Sequence, residues 1–243
     1  MTTHNRDKQT LFTLKSFTQS SFKNIHVIIV DDSDTPLLRE KLVFPFKITY
    51  IYVTHKTWLN SCINFNIGFR EVTTERMIIQ NGEVYHKGDV ISYVNTHYNP
   101  LEYLVFDTFA IKNESHNENI AIKPDAKNGM WYQHYSKNPV RYHFLCAGPI
   151  SLAMMGMSYE YADGYCYDDN DFVFKIDTEL RLRSKFVKSD ETFILGMHQK
   201  HKTTVVTIDA CKANASYFIN KLKEYASTHA DGVELLKLHK SVS

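Results

Sequence analysis

The sequence predicts an α/β sandwich on a mostly parallel central sheet, with its first strand truncated. Three observations carry that expectation. Residues 25–30, Ile-His-Val-Ile-Ile-Val, are a near-continuous β-branched run, as in a parallel strand covered on both faces. Strand-like runs then alternate with helically periodic segments at the pitch of right-handed βαβ units. At 243 residues the chain is long enough to bury a substantial core. No internal repeat or Pro/Gly/Ser linker divides it, so one domain is expected.

In order, residues 1–5 are too short for a full strand, and 6–17 carry Leu11, Leu14 and Phe17 at helical spacing. The run 25–30 is the next strand, and Pro36 suits the first turn of a second helix. A strand over 46–53, a helix over 64–72 with a possible start at Asn60, and a strand over 76–80 follow. A helix is expected from Lys87 through Val90, Ile91, Tyr93 and Val94. Residues 103–109 read as a strand, whereas 112–130 are polar, aperiodic and of the length of a functional loop. An aromatic-rich stretch, 131–146, leads to a helix over 148–157 and another over 168–176 with acids in its first turn. Strands at 181–187 and 192–197 and helices at 216–225 and 232–238 complete the reading.

Charge is balanced, 28 Lys+Arg against 27 Asp+Glu, so no basic field points to nucleic acid or to a membrane surface. No run reaches the ~18–20 apolar residues of a membrane span, and the start lacks an apolar leader. The four cysteines form no CxxC pair, and Cys62 and Cys146 sit among apolar residues as core thiols. A reducing compartment is the simpler inference, although an even count is compatible with bridges. The expectation is a soluble, cytoplasmic chain.

Chemistry-bearing residues cluster at a few places. After the apolar run 77–79, Asn81, Glu83 and His86 fall within six residues, at what would be the carboxyl end of a strand. A divalent cation that holds a diphosphate takes such ligands and keeps open positions. Asn81-Gly82 also fits a plain turn, with Glu83 as the first-turn acid of the next helix. Asp31 and Asp32 close the strand at 25–30, where carboxylates accept hydrogen bonds from a base or ribose. As an alternative, one of the pair caps the segment at Pro36. Thr3, Asn5 and Arg6 end the first strand and are candidates to line a nucleotide. Asn60, Asn64 and Asn66 are poor helix formers in or before a helix, which suggests side chains bonded to loops or ligand. Residues 163–171 hold Asp163, Asp168, Asp169 and Asp171; close carboxylates raise one another's pKa, which suits a general base. A solvated first turn is the plainer alternative. His198 and His201 follow a strand and can close a metal site, although surface His pairs are common.

Taken in order, Asn-Arg near the start, Val-Asp-Asp-Ser, Asn-x-Gly, the acidic motif after a strand, and Asp-Asp-x-Asp resemble the GT-A glycosyltransferases, in particular family 2. The stretch 58–89 with 167–172 looks like a subgroup with Asn-x-Glu in place of Asp-x-Asp. The resemblance implies a Rossmann-like GT-A sandwich that binds a nucleotide sugar, with residues 1–100 as the donor half, 101–201 as the acceptor and catalytic half and 202–243 as C-terminal helices. It implies that Asp31 and Asp32 contact the donor; Thr3, Asn5, Arg6, Asn60, Asn66 and Asn81 are further candidates for that side. It assigns Glu83, Asn81 and His198 to a Mn²⁺ or Mg²⁺ ion, Asp169 to the catalytic base and Asp168 to its neighbour. Trp131, His134, Tyr142, His143 and Asp171 are candidates for the acceptor side. Two departures stand out: an uncharged Asn81 in the metal motif, and Met1 where the last residues of the first strand belong, which leaves a sheet edge open.

The activity implied is inverting transfer of a sugar from a nucleoside-diphosphate sugar to an unidentified glycan, protein or lipid-linked acceptor. The polar segment 112–130 would act as a lid over the donor. A nucleotide-sugar-binding module without turnover is the alternative. A nucleotidylyltransferase is weaker, because the first 30 residues hold no Gly-rich basic loop.

Overall fold

The structure, a computed structural model, describes residues 1–37, 39–202 and 208–229. Strand β1 is only Thr2–Thr3, parallel to β2 through Thr2–Val30 and Thr3–Asp31. Helix α1, Asp7–Phe17, has Asp7 in its first turn and Lys15 in its last, matching the helix dipole. Its inner face buries Leu14 and Phe17 but also Thr10, Thr13 and Ser16. Those hydroxyls are spoken for: Thr10 meets Thr3 at 2.8 Å, Gln199 donates to Thr13, and the His86 amide donates to Ser16. Strands β2, His26–Asp31, and β3, Lys47–Tyr52, pair in parallel along all six positions.

The helix expected at Pro36 is a single 3₁₀ turn, Arg39–Lys41. Asp31 explains this. Its buried carboxylate accepts from the amides of Ser33 and Leu37 and from the Tyr50 hydroxyl, so it folds the chain after β2 into a loop. Helix α2, Cys62–Phe69, begins where Asn60 Oδ1 accepts the Cys62 amide at 2.8 Å. Strand β4, Arg76–Gln80, puts Met77 and Ile79 into one core layer while Ile78 packs on the other.

Instead of continuing into a helix, the chain makes strand β5, Val84–Lys87, antiparallel to β11. Helix α3, Val90–Thr96, starts only after Gly88, which has φ +78 and sits 2.7 Å (as a built Cβ) from the Phe193 carbonyl oxygen; the Asp89 side chain caps it at Ser92. The strand expected at 103–109 is two, β6 (Glu102–Phe106) and β7 (Thr108–Ile111). The break is Asp107, whose buried carboxylate takes the amides of Tyr135 and Ser189 as the chain passes from one sheet to another.

Strands β8, Gly129–Gln133, and β9, Leu145–Pro149, precede α4, Ser151–Met155, which Gly156 terminates at φ +67. Helix α5, Asp168–Lys175, runs into a π-helical turn, Ile176–Leu180. Strand β10 (Arg183–Val187), the short α6 (Ser189–Thr192), β11 (Leu195–His198) and α7 (Ile208–Thr228) follow. The helix expected at 232–238 lies outside the described residues.

Strand order is β1-β2-β3 in the first sheet, β10-β6-β9-β4 in the second and β5-β11-β7-β8 in the third. A parallel bridge from Thr2 to Asn81 sews the first sheet to β4. The parallel order holds across the first sheet, whereas β9 runs antiparallel between β4 and β6. Where β1 is short, a cavity of about 490 Å³ separates β2 from β4, lined by residues that include Met1, Phe17, Val27, Phe65 and Met77.

The polar segment 112–130 is tethered. Lys87 Nζ donates to the carbonyls of Ile120 and Ile122, Tyr85 to that of Asn119, and Asn117 exchanges two hydrogen bonds with the Lys200 backbone. No helix of the described residues is long and apolar enough to cross a membrane. Cys62 and Cys146 are buried free thiols, as expected, whereas Cys166 and Cys211 are joined in a disulfide.

Candidate active site

Two buried clusters of titratable side chains form at the ends of these strands. The first is built on Glu83. A turn at Asn81-Gly82 delivers it, and Gly82 is needed there: a Cβ would lie 2.9 Å from the Thr2 carbonyl oxygen and 3.0 Å from Thr10 Oγ1. The Glu83 carbonyl accepts from the backbone and the side-chain amide of Gln199. Its carboxylate is 2% exposed, with Oε1 2.7 Å from Arg6, 3.4 Å from His198 Nε2 and 3.6 Å from His201 Nε2. Burial pushes this carboxyl up, but the His198 hydrogen bond and the Arg6 charge outweigh it and hold it at about 2. Burial and the Arg6 charge lower the His201 imidazole. Glu83 Oε2 is buried with no hydrogen-bond partner.

The second cluster sits on the first turn of α5. Cys166 and Tyr167 both have left-handed backbone, φ 67 and 66, and this pivot brings Asp168 and Asp169 to the positive end of the helix. Helix α7 braces the pivot through the disulfide and through Asn214, which donates to the carbonyls of Tyr161, Tyr165 and Cys166. Burial and the neighbouring Asp169 raise the Asp168 carboxyl to about 6, despite the Asn60 side chain that bonds it. Asp169 is the more open of the two, its side chain 26% exposed, and it pairs with buried His143. Burial pulls the His143 imidazole down; the Asp169 and Asp168 carboxylates overcome this and raise it.

One stretch of chain links the clusters. His143 contacts Asp169, and the next residue, Phe144, packs against His198 at 5.9 Å while its carbonyl accepts the Asn81 amide. Tyr132 lies 4.9 Å from His198 and 5.3 Å from Phe144, and Tyr142 lies 5.9 Å from Phe144, so an aromatic row runs between the two groups of carboxylates. Asp32 lies at the end of β2, its buried carboxylate 2.6 Å from Lys56 and 3.1 Å from His4. Asn5, at φ 54, bonds Ser33 and Asp34 beside it.

Other residues picked from the sequence have structural partners instead. Asp31 organises the loop after β2, and Thr3 bonds Thr10. Asn66 clasps the Met157 backbone with both ends of its amide. Asp171 turns to α7 and pairs with Lys221 at 2.6 Å and with Ser158. Trp131 packs edge-on against Phe109 and His134, and His134 lies by Asp107, which places this pair in the β7–β8 hairpin. His86 faces away from Glu83, bonded to Gln80; burial pushes it down to about 3, so it is a neutral core histidine. The sequence offers His198 and His201 for a metal site but assigns only His198 to it, and it gives no hint of the Arg6–Glu83 pair. The only signal for His201 was its place three residues after His198.

The buried Asp168 yields a stability prediction. Its folded pKa lies above the ordinary 3.8, so it costs stability as pH rises from about 4 to 6. Asp168→Asn is therefore expected to raise stability by about 1–3 kcal/mol at pH 7, a gain that vanishes below pH ~4. Urea denaturation of the two proteins at both pH values measures it.

The family model for glycosyl transferase family 2 matches residues 1–155. No curated protein matches the chain. Among solved structures it is similar to a mannosyltransferase of Pyrobaculum calidifontis, PcManGT, solved with GDP-Man and Mn²⁺. The TM-score is 0.59 at 11% identity, over 98% of this chain and 67% of that one. It is also similar to S. aureus TarS, with a TM-score of 0.59 at 13% identity over 91% of this chain and 38% of that one. A TarS fragment, 1-349, solved with UDP, gives 0.58 at 14% identity over 91% and 63%. The chain thus spans between 38% and 67% of the length of these structures. At such identities they speak for the fold, which is Rossmann-like and of the GT-A kind. The family model matches well over half of the sequence, and the chain belongs to glycosyl transferase family 2.

Proposed function

We propose that the chain is an inverting glycosyltransferase that moves a sugar from a nucleoside-diphosphate sugar to an acceptor hydroxyl. The step from His143 to Phe144 carries this reading, because it gives the Asp169 and Glu83 clusters a common wall. Asp169 takes the hydroxyl proton on a carboxylate oxygen as the acceptor oxygen bonds to the anomeric carbon. The bond to the diphosphate breaks on the opposite face, which inverts the configuration, and the electron pair leaves with the nucleoside diphosphate. Asp32, which pairs with Lys56, would meet the base or ribose. Arg6 puts a guanidinium, the group suited to phosphate, next to Glu83.

Glu83, His198 and His201 would hold a divalent cation. Their ligand atoms lie within 4.8 Å of one another, and Glu83 Oε2 is buried with no hydrogen-bond partner. One carboxylate with two imidazoles suits Mn²⁺ better than Mg²⁺, which takes mainly oxygen ligands. When bound, the cation supplies positive charge against the leaving diphosphate.

Thermal-shift titration with UDP, GDP and their sugars, with and without Mn²⁺, tests the donor. One nucleotide is expected to raise Tm only with Mn²⁺, by about 2.7 kcal/mol of stabilisation at 100 times Kd. The absence of a shift with every nucleotide would overturn the reading. A second reading, donor binding without turnover, is favoured by one contact: Arg6 already neutralises Glu83 Oε1. Donor binding with no release of nucleoside diphosphate, acceptors present, would establish it.

A further inference from the structure

We propose that His143 is a positioning residue for transfer: it fixes one oxygen of Asp169 and leaves the other to meet the acceptor hydroxyl. This rests on the reading of Asp169 as the base.

The geometry supplies the argument. His143 engages Asp169 Oδ1 twice, through its ring nitrogen Nδ1 and through its backbone amide at 3.3 Å. Among the described residues no hydrogen bond engages Asp169 Oδ2. The ring is held in turn: it is buried and meets the Phe65 ring edge-on at 4.5 Å. Phe65 belongs to the core of α2, so the imidazole is anchored in the rigid part of the molecule. A carboxylate on the first turn of a helix, 26% exposed, would otherwise sample several rotamers. Misplacement by about 1 Å costs on the order of 10²-fold in rate. This is a different place from an acceptor platform, where the sequence alone had put His143.

Charge adds a second effect. Asp168 and Asp169 are adjacent carboxylates, and like charges oppose each other's ionisation. Both carboxylates raise the His143 imidazole, which favours its protonated form against them. The other groups facing this trio are the Asn60 amide, the hydroxyls of Tyr103 and Tyr142, and the thiols of Cys62 and Cys146. Burial pushes both thiols up to about 12 and both tyrosines upward. Arg141 is engaged by Asp177. These thiols and phenols therefore keep their protons around neutral pH.

The test compares His143→Phe, His143→Asn and Asp169→Asn. His143→Phe is expected to lower kcat on the order of 10²-fold. His143→Asn, which keeps a donor but not the charge, is expected to lower it about 10-fold. Donor KM stays within about twofold in both, since neither touches the Glu83 cluster. The acid limb of the kcat/KM profile moves to higher pH in both, because the adjacent carboxylates lose the imidazole that opposes their charge. A purely structural role lowers Tm but leaves that limb in place, and this result would overturn the proposal. Should both variants fail to fold, NMR titration of His143 in the unmodified protein decides: the ring is expected to titrate above 6.5, and a ring that titrates below it sinks the idea. If Asp169→Asn itself turns over normally, the base assignment is what fails, separately from the part given to His143.

Discussion

Asp169→Asn is expected to lower kcat about 10²–10⁴-fold while the protein stays folded and binds donor, the range for removal of a general base. The substitution keeps shape and hydrogen-bonding length but cannot take up a proton. Its side chain is the more open of the α5 pair, so folding depends on it less than on the buried Asp171. Asp171 is bonded to Lys221 and Ser158, and its replacement acts on stability instead. The measurement is steady-state release of nucleoside diphosphate, with Tm as the control for folding. Turnover at the parent rate would remove Asp169 from the mechanism.

Glu83→Gln is expected to lower both activity and stability. On activity, it removes the carboxylate against which two imidazoles and a guanidinium converge, and with it the Mn²⁺ dependence of the nucleotide-induced Tm shift. A fall in kcat/KM on the order of 10²–10³-fold matches the loss of one charge-stabilising contact to the leaving group. On stability, the sign follows from linkage. The Glu83 carboxyl is held at about 2, below its ordinary 4.5, so its contribution is complete above pH 4.5 and is lost as pH falls toward 2. That contribution is about 3 kcal/mol. The gap between parent and Glu83→Gln should therefore be about 3 kcal/mol at pH 7 and close between pH ~4.5 and ~2. Denaturant midpoints across that range measure it. His86 and Asp168 titrate in both proteins, so their effects cancel in the difference. A constant gap would mean that Glu83 is not ionised by its neighbours.

Much of this was legible in the linear chain because local chemistry carries it. The β-branched run of β2 has one stable use, a covered parallel strand. The acids at the start of α5 and the turn at Asn81-Gly82 mark where side chains leave the framework, and both fall beside a cluster of carboxylates. The helix expected at Pro36 was lost because Asp31 competes for the backbone amides that such a helix would leave free. Strand β5 reads in sequence as the entry to a helix because four residues are too few to show a period. Asp31 and Asp32 are indistinguishable as neighbours in sequence; one is enclosed by loop amides and the other meets Lys56 only because β2 and the loop after β3 converge.

The sequence by itself determined the alternation of strands and helices, the family, and the order in which carboxylates reach the ends of strands, since each depends on a handful of consecutive residues. Which histidine serves which acid was decided only by the tertiary structure. His86, three residues from Glu83, is a neutral core group bonded to Gln80, whereas His198 and His201, more than a hundred residues away, close around it. His143 likewise reaches Asp169 from the turn before β9. Charges interact through distance in space and through burial, and neither quantity exists until the strands are paired and water is displaced.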